Sequence, residues 1–368
     1  MSNPAYPPAA AVAHRLQQHF AQQDGLAAPE AAAIAAVIDA AFWASLRREE
    51  GYAARLSLTL LSPEHVPAPL RFERSLPLSA EVLTALAPAV ERPGIHLGVS
   101  AQNGELRVWG TTHQVPRSCF VLEVAAPGLL VVKRRRGEES AKFLNVVVLE
   151  GDRVKVLDER AARLADCPAF LTSLIGFEPA SHSEDAVNVF LELAVSMRAH
   201  GRGGALLVVP PSPEWQESIR HPIPHPVAPP FAELAALLAE PPEERREQRW
   251  QEAFRRAIDA IAGLTAVDGA TVMTHGYELL AFGAKIRRRE GRAAVESAIA
   301  AEPVEGGQRT VVHPSQLGGT RHQSAAQFVH DQREAVALVA SQDGRFTIFA
   351  WSPHDQMVHA HRVETLLL

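Results

Sequence analysis

The spacing of apolar residues in the first part of the chain predicts two helices followed by a largely antiparallel sheet. Helical periodicity covers residues 13–23 and 29–49, after an Ala/Pro-rich segment, 1–12, that we expect to form a loose tail. A serine cap predicts a further helix over 79–89. Strands are predicted where apolar and polar residues alternate, at 55–61, 95–100, 105–111, 119–124, 129–134, 143–149 and 153–158.

Two short turns indicate how these strands connect. Asn103-Gly104 and Gly151-Asp152 each separate two strand-like runs by residues that favour hairpin turns. Residues 159–185 are interpreted as a connection between domains. We therefore expect a first domain at 1–165 and a second at 170–368.

The second part of the chain predicts a mixed sheet flanked by helices. The apolar run at 205–209 is typical of a buried strand, whereas the proline-rich stretch at 210–226 cannot occupy a central strand. Helices are predicted near 186–200, 231–239, 243–263 and 322–331, and strands at 335–340 and 345–351. The predicted fold class is α/β in the α+β sense, with a mixed-sheet N-terminal domain and a second domain of mixed β-sheet and helices.

Composition narrows the function classes. The 368 residues carry a formal net charge of −6, which argues against broad binding to nucleic acid or to an anionic membrane. The two cysteines, Cys119 and Cys167, form no metal-binding or disulfide pattern, which is typical of a reducing cytoplasm. No secretory leader is indicated, and no apolar run approaches the ~20 residues that span a bilayer. We expect a soluble cytoplasmic protein.

An Asp-Gly-Ala sequence stands at the entry to an apolar strand. Gly269 lets the backbone approach a ligand closely, and Asp268 is a residue type that holds a divalent cation or polarises a hydroxyl. Taken alone, Asp268-Gly269-Ala270 is better explained as a plain strand-entry turn, because Asp-Gly is common there.

A glycine-rich loop precedes the helix predicted at 322–331. Gly318-Gly319-Thr320-Arg321-His322 supplies backbone N–H groups at a helix start together with an arginine fork, and this combination suits a phosphate group. A loop with a threonine cap explains the sequence equally well, and the longer P-loop pattern is absent.

Two further polar segments are weaker candidates. Asp343, in the Ser341-Gln342-Asp343 turn between two strands, is the right type for a second metal carboxylate, although a surface hairpin turn is the better explanation. The basic run at 285–289 is predicted to be solvated, with contact to a phosphate as the alternative.

In this order and spacing, the motifs resemble the diadenylate cyclase (DAC) domain. The matching pieces are Gly204–Val209, Asp268-Gly269-Ala270, Gly319-Thr320-Arg321-His322 and Ser341-Gln342-Asp343, and the resemblance covers residues 186–352. The first domain does not match the usual partners of active DAC proteins. The whole layout is more similar to a divergent branch described as probable sensors, the DACNV type.

The resemblance implies a role for each matching residue. Asp268 would be the metal-associated acid near the attacking ribose hydroxyl, and Asp343 would stand where the family has a metal-linked glutamate. The implied catalytic residues are Asp268, Arg321 and His322. The residues implied to contact the nucleotide are Gly269, Ala270, Gly319, Thr320, Arg321, His322 and Ser341.

The implied reaction condenses two ATP molecules into cyclic di-AMP. The two nucleotides would lie face to face across a homodimer, with Mg²⁺ or Mn²⁺ stabilising charge on the phosphoryl oxygens. Gln323 replaces the second arginine of the family's Arg-His-Arg motif, and the segment at 282–286 also departs from the family pattern. Three functions therefore stay open: an adenine-nucleotide-binding cyclase, a catalytically silent sensor of ATP or a cyclic dinucleotide, and a structural partner that has lost the ligand.

Overall fold

A computed structural model describes the protein in two units, over residues 4–22, 27–49, 51–116, 118–135, 143–157 and 188–367. The first unit ends at Leu157 and the second at Leu367. Both combine helices with sheets, so the predicted α+β class is confirmed. The connection expected at 159–185, and with it Cys167, lies outside the described residues. Within the described ranges, no helix is long and apolar enough to cross a membrane.

The described residues of the first unit form three α-helices and an eight-stranded sheet. The helices are α1 (Pro7–Ala21), α2 (Ala31–Ser45) and α3 (Ala80–Leu86). The strands are β1 (Arg48–Glu49), β2 (Tyr52–Ala53), β3 (Leu56–Leu60), β4 (Leu70–Pro77), β5 (His96–Gln102), β6 (Glu105–Thr112), β7 (Phe120–Ala126), β8 (Leu129–Arg135), β9 (Phe143–Glu150) and β10 (Arg153–Val156). Strands β1 and β2 pair with each other, and the other eight have the order β10-β9-β8-β7-β3-β5-β6-β4. Only β3 and β5 are parallel neighbours among them, so the largely antiparallel sheet is confirmed.

Both predicted hairpin turns are confirmed. The register of β5 and β6 leaves Asn103 and Gly104 as a two-residue loop, and both residues have positive φ (52° and 81°), which this kind of tight hairpin turn requires. The register of β9 and β10 likewise leaves Gly151 and Asp152 between the strands.

The helix boundaries near the N-terminus correct the prediction. Helix α1 begins at Pro7, because a proline is well accommodated in the first helical turn, so the loose tail expected over 1–12 is wrong from this residue onward. The residues of α1 that are buried include Val12, Leu16 and Phe20. Helix α2 ends at Ser45 and not at 49, because the chain turns at Gly51 (φ 87°) and pairs β1 with β2.

A buried histidine makes the stability of the first unit depend on pH. His96 in β5 is 4% exposed, and its Nδ1 lies 2.7 Å from the hydroxyl oxygen of Ser57. Burial lowers the pKa of His96 to about 4, although the Glu123 carboxylate opposes this shift. The ordinary pKa of histidine in an unfolded chain is about 6.5. Between the two values the unfolded chain binds more protons than the folded protein, so stability is lost as the pH falls.

Through His96 alone, the free energy of unfolding should fall by on the order of 2 kcal/mol between about pH 7 and about pH 5. The variant His96→Gln cannot ionise at this position, so its stability should depend less steeply on pH. Urea denaturation of both proteins at the two pH values measures the difference. Equal pH dependence in the two proteins would show that His96 does not titrate in this way.

The second unit contains a nine-stranded mixed sheet. Its described helices are α4 (Val189–Ala199), α5 (Glu233–Ala239), α6 (Gln248–Leu264) and α7 (Thr320–Asp331), which confirm the predicted helices with shifted starts. The strands are β11 (Gly204–Val209), β12 (His225–Phe231), β13 (Ala270–Thr274), β14 (Leu279–Ala284), β15 (Ala298–Ala301), β16 (Thr310–Val312), β17 (Val336–Ala340), β18 (Phe346–Ser352) and β19 (Met357–Arg362). Their order is β12-β14-β13-β11-β17-β18-β19-β15-β16.

Helices cover this sheet on both faces. Leu206 of β11 lies in an apolar cluster with α4 and α6, whereas the next residue, Leu207, lies in a cluster with α7. Successive side chains of a strand point to opposite faces, so β11 is buried on both sides, as its continuous apolar sequence predicts. The predicted proline-rich stretch at 210–226 enters a named strand only with its last two residues, which begin β12 at the sheet edge, so its exclusion from a central strand is confirmed.

Candidate functional site

A pocket of about 800 Å³ lies at the N-terminus of α7 in the second unit. This volume is in the range of sites that hold small molecules. The predicted site residues that line it are Asp268, Gly269, Ala270, Gly319, Thr320, Arg321, His322 and Ser341. The structure therefore brings together three motifs that are far apart in the sequence.

The topology of the sheet explains why these motifs meet. Strand β11 lies between β13 and β17, parallel to the first and antiparallel to the second. Leu206 pairs with Thr271, and Gly204 pairs with Ala340. The Asp-Gly-Ala turn leads into β13, and Ser341 follows β17. Both consequently lie at the same end of these neighbouring strands, where β11 begins.

The first turn of α7 provides backbone donors at the pocket. Gly319 is the N-cap residue and no side chain caps the helix there. Its carbonyl oxygen accepts hydrogen bonds from the amides of His322 (3.0 Å) and Gln323 (3.3 Å). The first amides of a helix have no intrahelical acceptor, and the helix dipole is positive at this end. An anion in the pocket would meet favourable groups at Gly319 and Thr320, both of which line it.

Arg321 adds a full positive charge to this turn. Its side chain is half-buried and lies beside the turn that precedes β11, since a Cβ built on Gly203 would be 3.2 Å from the Arg321 Nη1. The guanidinium group is always charged in proteins and offers a fork of donors that matches phosphate oxygens. Arg321 is therefore placed to bind the anionic part of a ligand.

His322 is buried beside Arg321. The residue is 3% exposed, and its Nε2 has no hydrogen-bond partner within the part of the chain that the structure describes. The ring packs against Gly318, where an added Cβ would lie 2.5 Å from the His322 Nδ1. Burial lowers the pKa of His322, although the Asp343 carboxylate opposes this, so the ring is neutral at neutral pH. A neutral ring contributes a donor or an acceptor here, but no charge.

Asp268 lies at the rim of the pocket, and its side chain is 92% exposed. Its Oδ2 is 2.7 Å from the Nζ of Lys285. The hydrogen bond and the charge of Lys285, with a smaller contribution from Arg321, lower the pKa of Asp268 below its ordinary value. The carboxylate is consequently ionised and already paired with a cation.

The second predicted carboxylate is not among the residues that line the pocket. Asp343 is in the turn between β17 and β18, with its Oδ2 3.2 Å from the Nε of Arg345 and its Oδ1 accepting from the Arg345 amide at 3.4 Å. Gln323, which replaces the second arginine of the Arg-His-Arg motif, does not line the pocket either. The metal role of Asp268 and Asp343 stays a prediction.

Two cations line the pocket that the motifs did not single out. Lys285 follows β14, has a 43% exposed side chain and lines the pocket, so contact of the basic run at 285–289 with a phosphate stays a prediction. Arg220 belongs to the segment before β12, and its amide donates to the Lys285 carbonyl at 2.8 Å. No local signal in the sequence marks Arg220, because long-range contacts such as the pairing of Ile219 with Ile286 bring the two segments together.

Comparison with known proteins gives one family match. Residues 23–113 match a family model described as "Probable sensor domain DACNV". No curated protein matches the chain. The match lies in the first unit, outside the stretch from 186 to 352 that carries the DAC motifs. It therefore supports the probable-sensor branch of the resemblance, and not an assignment as a diadenylate cyclase.

Proposed function

We propose that the protein is a nucleotide sensor whose second unit binds an adenine nucleotide, ATP or a cyclic dinucleotide, without converting it. The observation that carries this proposal is the gathering of Arg220, Lys285 and Arg321 in one pocket at the uncapped start of α7. Because these groups and the helix dipole are all positive, the pocket is suited to an anion of several charges. The family match over 23–113 independently points to a sensor.

The pocket lining also suits a base. It includes the small or apolar side chains of Ala205, Ala270, Ala284 and Ile286. Small-molecule sites combine such apolar lining with a few polar groups that fix the orientation of the ligand. A molecule with a flat apolar base and phosphate groups matches this mixed lining, and a nucleotide has both. The choice of adenine among the bases rests on the resemblance to the DAC domain.

The residues at the site suit binding of a nucleotide better than its chemical conversion. Transfer of a nucleotidyl group requires charge stabilisation on the phosphoryl oxygens, which related reactions obtain from metal ions and arginines. Position 323 is a glutamine, and Asp343 lies outside the pocket lining. A sensor needs only one nucleotide in each chain, so we expect a stoichiometry of one nucleotide per chain without a face-to-face dimer.

Binding and product formation can be measured on the same purified full-length protein. We expect isothermal titration calorimetry to show saturable binding of ATP or cyclic di-AMP, and chromatography after incubation of ATP with Mg²⁺ or Mn²⁺ to show no cyclic di-AMP. Formation of cyclic di-AMP that disappears in Asp268→Asn would establish the cyclase instead. Absence of binding to both nucleotides would overturn the sensor proposal.

A further inference from the structure

The backbone segments that carry Lys285 and Asp268 are brought together by the pairing of β13 with β14. Strands β13 and β14 are antiparallel and pair Ala270 with Ala284, which places the residues just outside both strands opposite each other. Gly269 packs directly against Gly283, since an added Cβ would be only 2.4 Å from the Gly283 carbonyl carbon. The 2.7 Å contact between the Lys285 Nζ and the Asp268 Oδ2 joins these two neighbouring segments.

The pocket offers a divalent cation few protein ligands that are not already paired. At nucleotide sites Mg²⁺ is bound by one or two protein carboxylates together with phosphate oxygens and water. Among the described residues that line the pocket, Asp268 is the one carboxylate, and its Oδ2 is already 2.7 Å from the Lys285 Nζ. Asp343 is bound to Arg345 outside the lining. Across the residues that the structure describes, no group of three or more His, Cys, Asp or Glu side chains is arranged to hold a metal.

We infer that the Lys285 ammonium takes the place of a divalent cation, so that the pocket binds its phosphate-bearing ligand without metal. The inference rests on the proposed function, because it concerns how the same pocket neutralises the ligand. Lys285, Arg220 and Arg321 bring three positive charges against the single negative charge of Asp268. An excess of fixed positive charge attracts a polyanion without a mobile ion.

Asp268 then has a role opposite to that of a metal ligand. Its carboxylate holds Lys285 in place, but it also competes with the phosphate oxygens for the ammonium group and repels them. Neutralising Asp268 should leave anion binding intact or strengthen it, because the net charge at the pocket becomes more positive. If Asp268 held a metal ion instead, its neutralisation would weaken anion binding, because the ion on which binding depends would lose a protein ligand.

Titration of the full-length protein with ATP, in buffers containing either EDTA or excess Mg²⁺, tests the inference. We expect binding in EDTA at least as tight as in Mg²⁺, since free ATP carries more negative charge than its magnesium complex. Lys285→Gln should weaken binding in EDTA about tenfold, and Lys285→Arg should retain most of it. Asp268→Asn should bind ATP as tightly as the unmodified protein or more tightly.

Arg288→Gln provides the control, because Arg288 belongs to the same basic run, is exposed and does not line the pocket. It should bind ATP as the unmodified protein does. Binding that requires Mg²⁺, or that is lost in Asp268→Asn, would overturn the inference and leave nucleotide sensing intact. Binding in EDTA that is unchanged in Lys285→Gln would also overturn it. Absence of ATP and cyclic di-AMP binding in both buffers would overturn this inference together with the proposed function.

Discussion

Replacement of Gly269 by alanine should lower the free energy of unfolding of the second unit by about 3–4 kcal/mol. Two costs add. Gly269 has a φ of 121°, in a region that residues with a side chain rarely adopt. The new Cβ would also lie 2.4 Å from the carbonyl carbon of Gly283, and a backbone atom cannot move aside without shifting β14. Urea denaturation followed by circular dichroism measures the loss.

A second glycine of the same hairpin is the control for this prediction. Gly276, in the turn between β13 and β14, does not have a positive φ, and the nearest atom to an added Cβ is the Thr274 Oγ1 at an ordinary 3.6 Å. Gly276→Ala should therefore change the free energy of unfolding by less than about 1 kcal/mol. If Gly269→Ala were as stable as Gly276→Ala, the close contact between Gly269 and Gly283 would be wrong.

The same contact changes the interpretation of the Asp-Gly-Ala motif. The sequence alone explains Gly269 either as a turn residue or as a residue that admits a ligand, and the structure shows that packing against β14 already requires glycine at this position. A loss of ligand binding in a Gly269 variant would therefore follow from damage to the fold. Ligand binding is better tested by variants of side chains such as Arg321 and Lys285, which can be replaced without a backbone clash.

Local patterns predicted those parts of the fold that local forces determine. The Asn103-Gly104 hairpin follows from two residues that tolerate positive φ, and the helix near 79–89 follows from Ser79, whose Oγ accepts from the Val82 amide at 3.3 Å. Strand β4 was missed, because it lies at a sheet edge with a mostly exposed, charged sequence and a register shift between Arg71 and Leu76. Only pairing with β6 makes this segment a strand.

The residues of the candidate site also divide into those that local sequence motifs select and those that only long-range contacts bring to the pocket. Asp268, Arg321 and Ser341 belong to recognisable motifs, so the sequence was sufficient to select them, and the sheet order explains why they meet. Lys285 belongs to the basic run at 285–289, and the pairing of β13 with β14 places it at the pocket. Arg220 comes from a segment without a motif, and it lies next to the long-range bridge between Ile219 and Ile286. Ile219 and Ile286 are roughly sixty or more positions apart in the sequence. Sequence patterns are read over short windows and carry no information about pairing at that distance.

Arg321→Ala should weaken the binding of ATP or of cyclic di-AMP by roughly 100-fold. Arg321 lines the pocket at the first turn of α7, and its half-buried position makes its hydrogen bonds to a phosphate stronger than those of a fully solvated cation. Arg321→Lys keeps the charge and loses the planar fork, so we expect a smaller loss of about tenfold. Calorimetric titration of the full-length variants measures both values.

Arg256→Ala separates an effect at the pocket from an effect of net charge. Arg256 is exposed on α6 and does not line the pocket, so its removal changes the charge of the chain by the same amount and should leave the affinity unchanged. The nucleotide affinities of the two variants should also depend differently on salt concentration, because a direct phosphate contact is screened less than a distant surface charge. If Arg321→Ala bound nucleotide as tightly as Arg256→Ala, the start of α7 would not hold the phosphate groups, and the ligand would have to bind elsewhere on the chain.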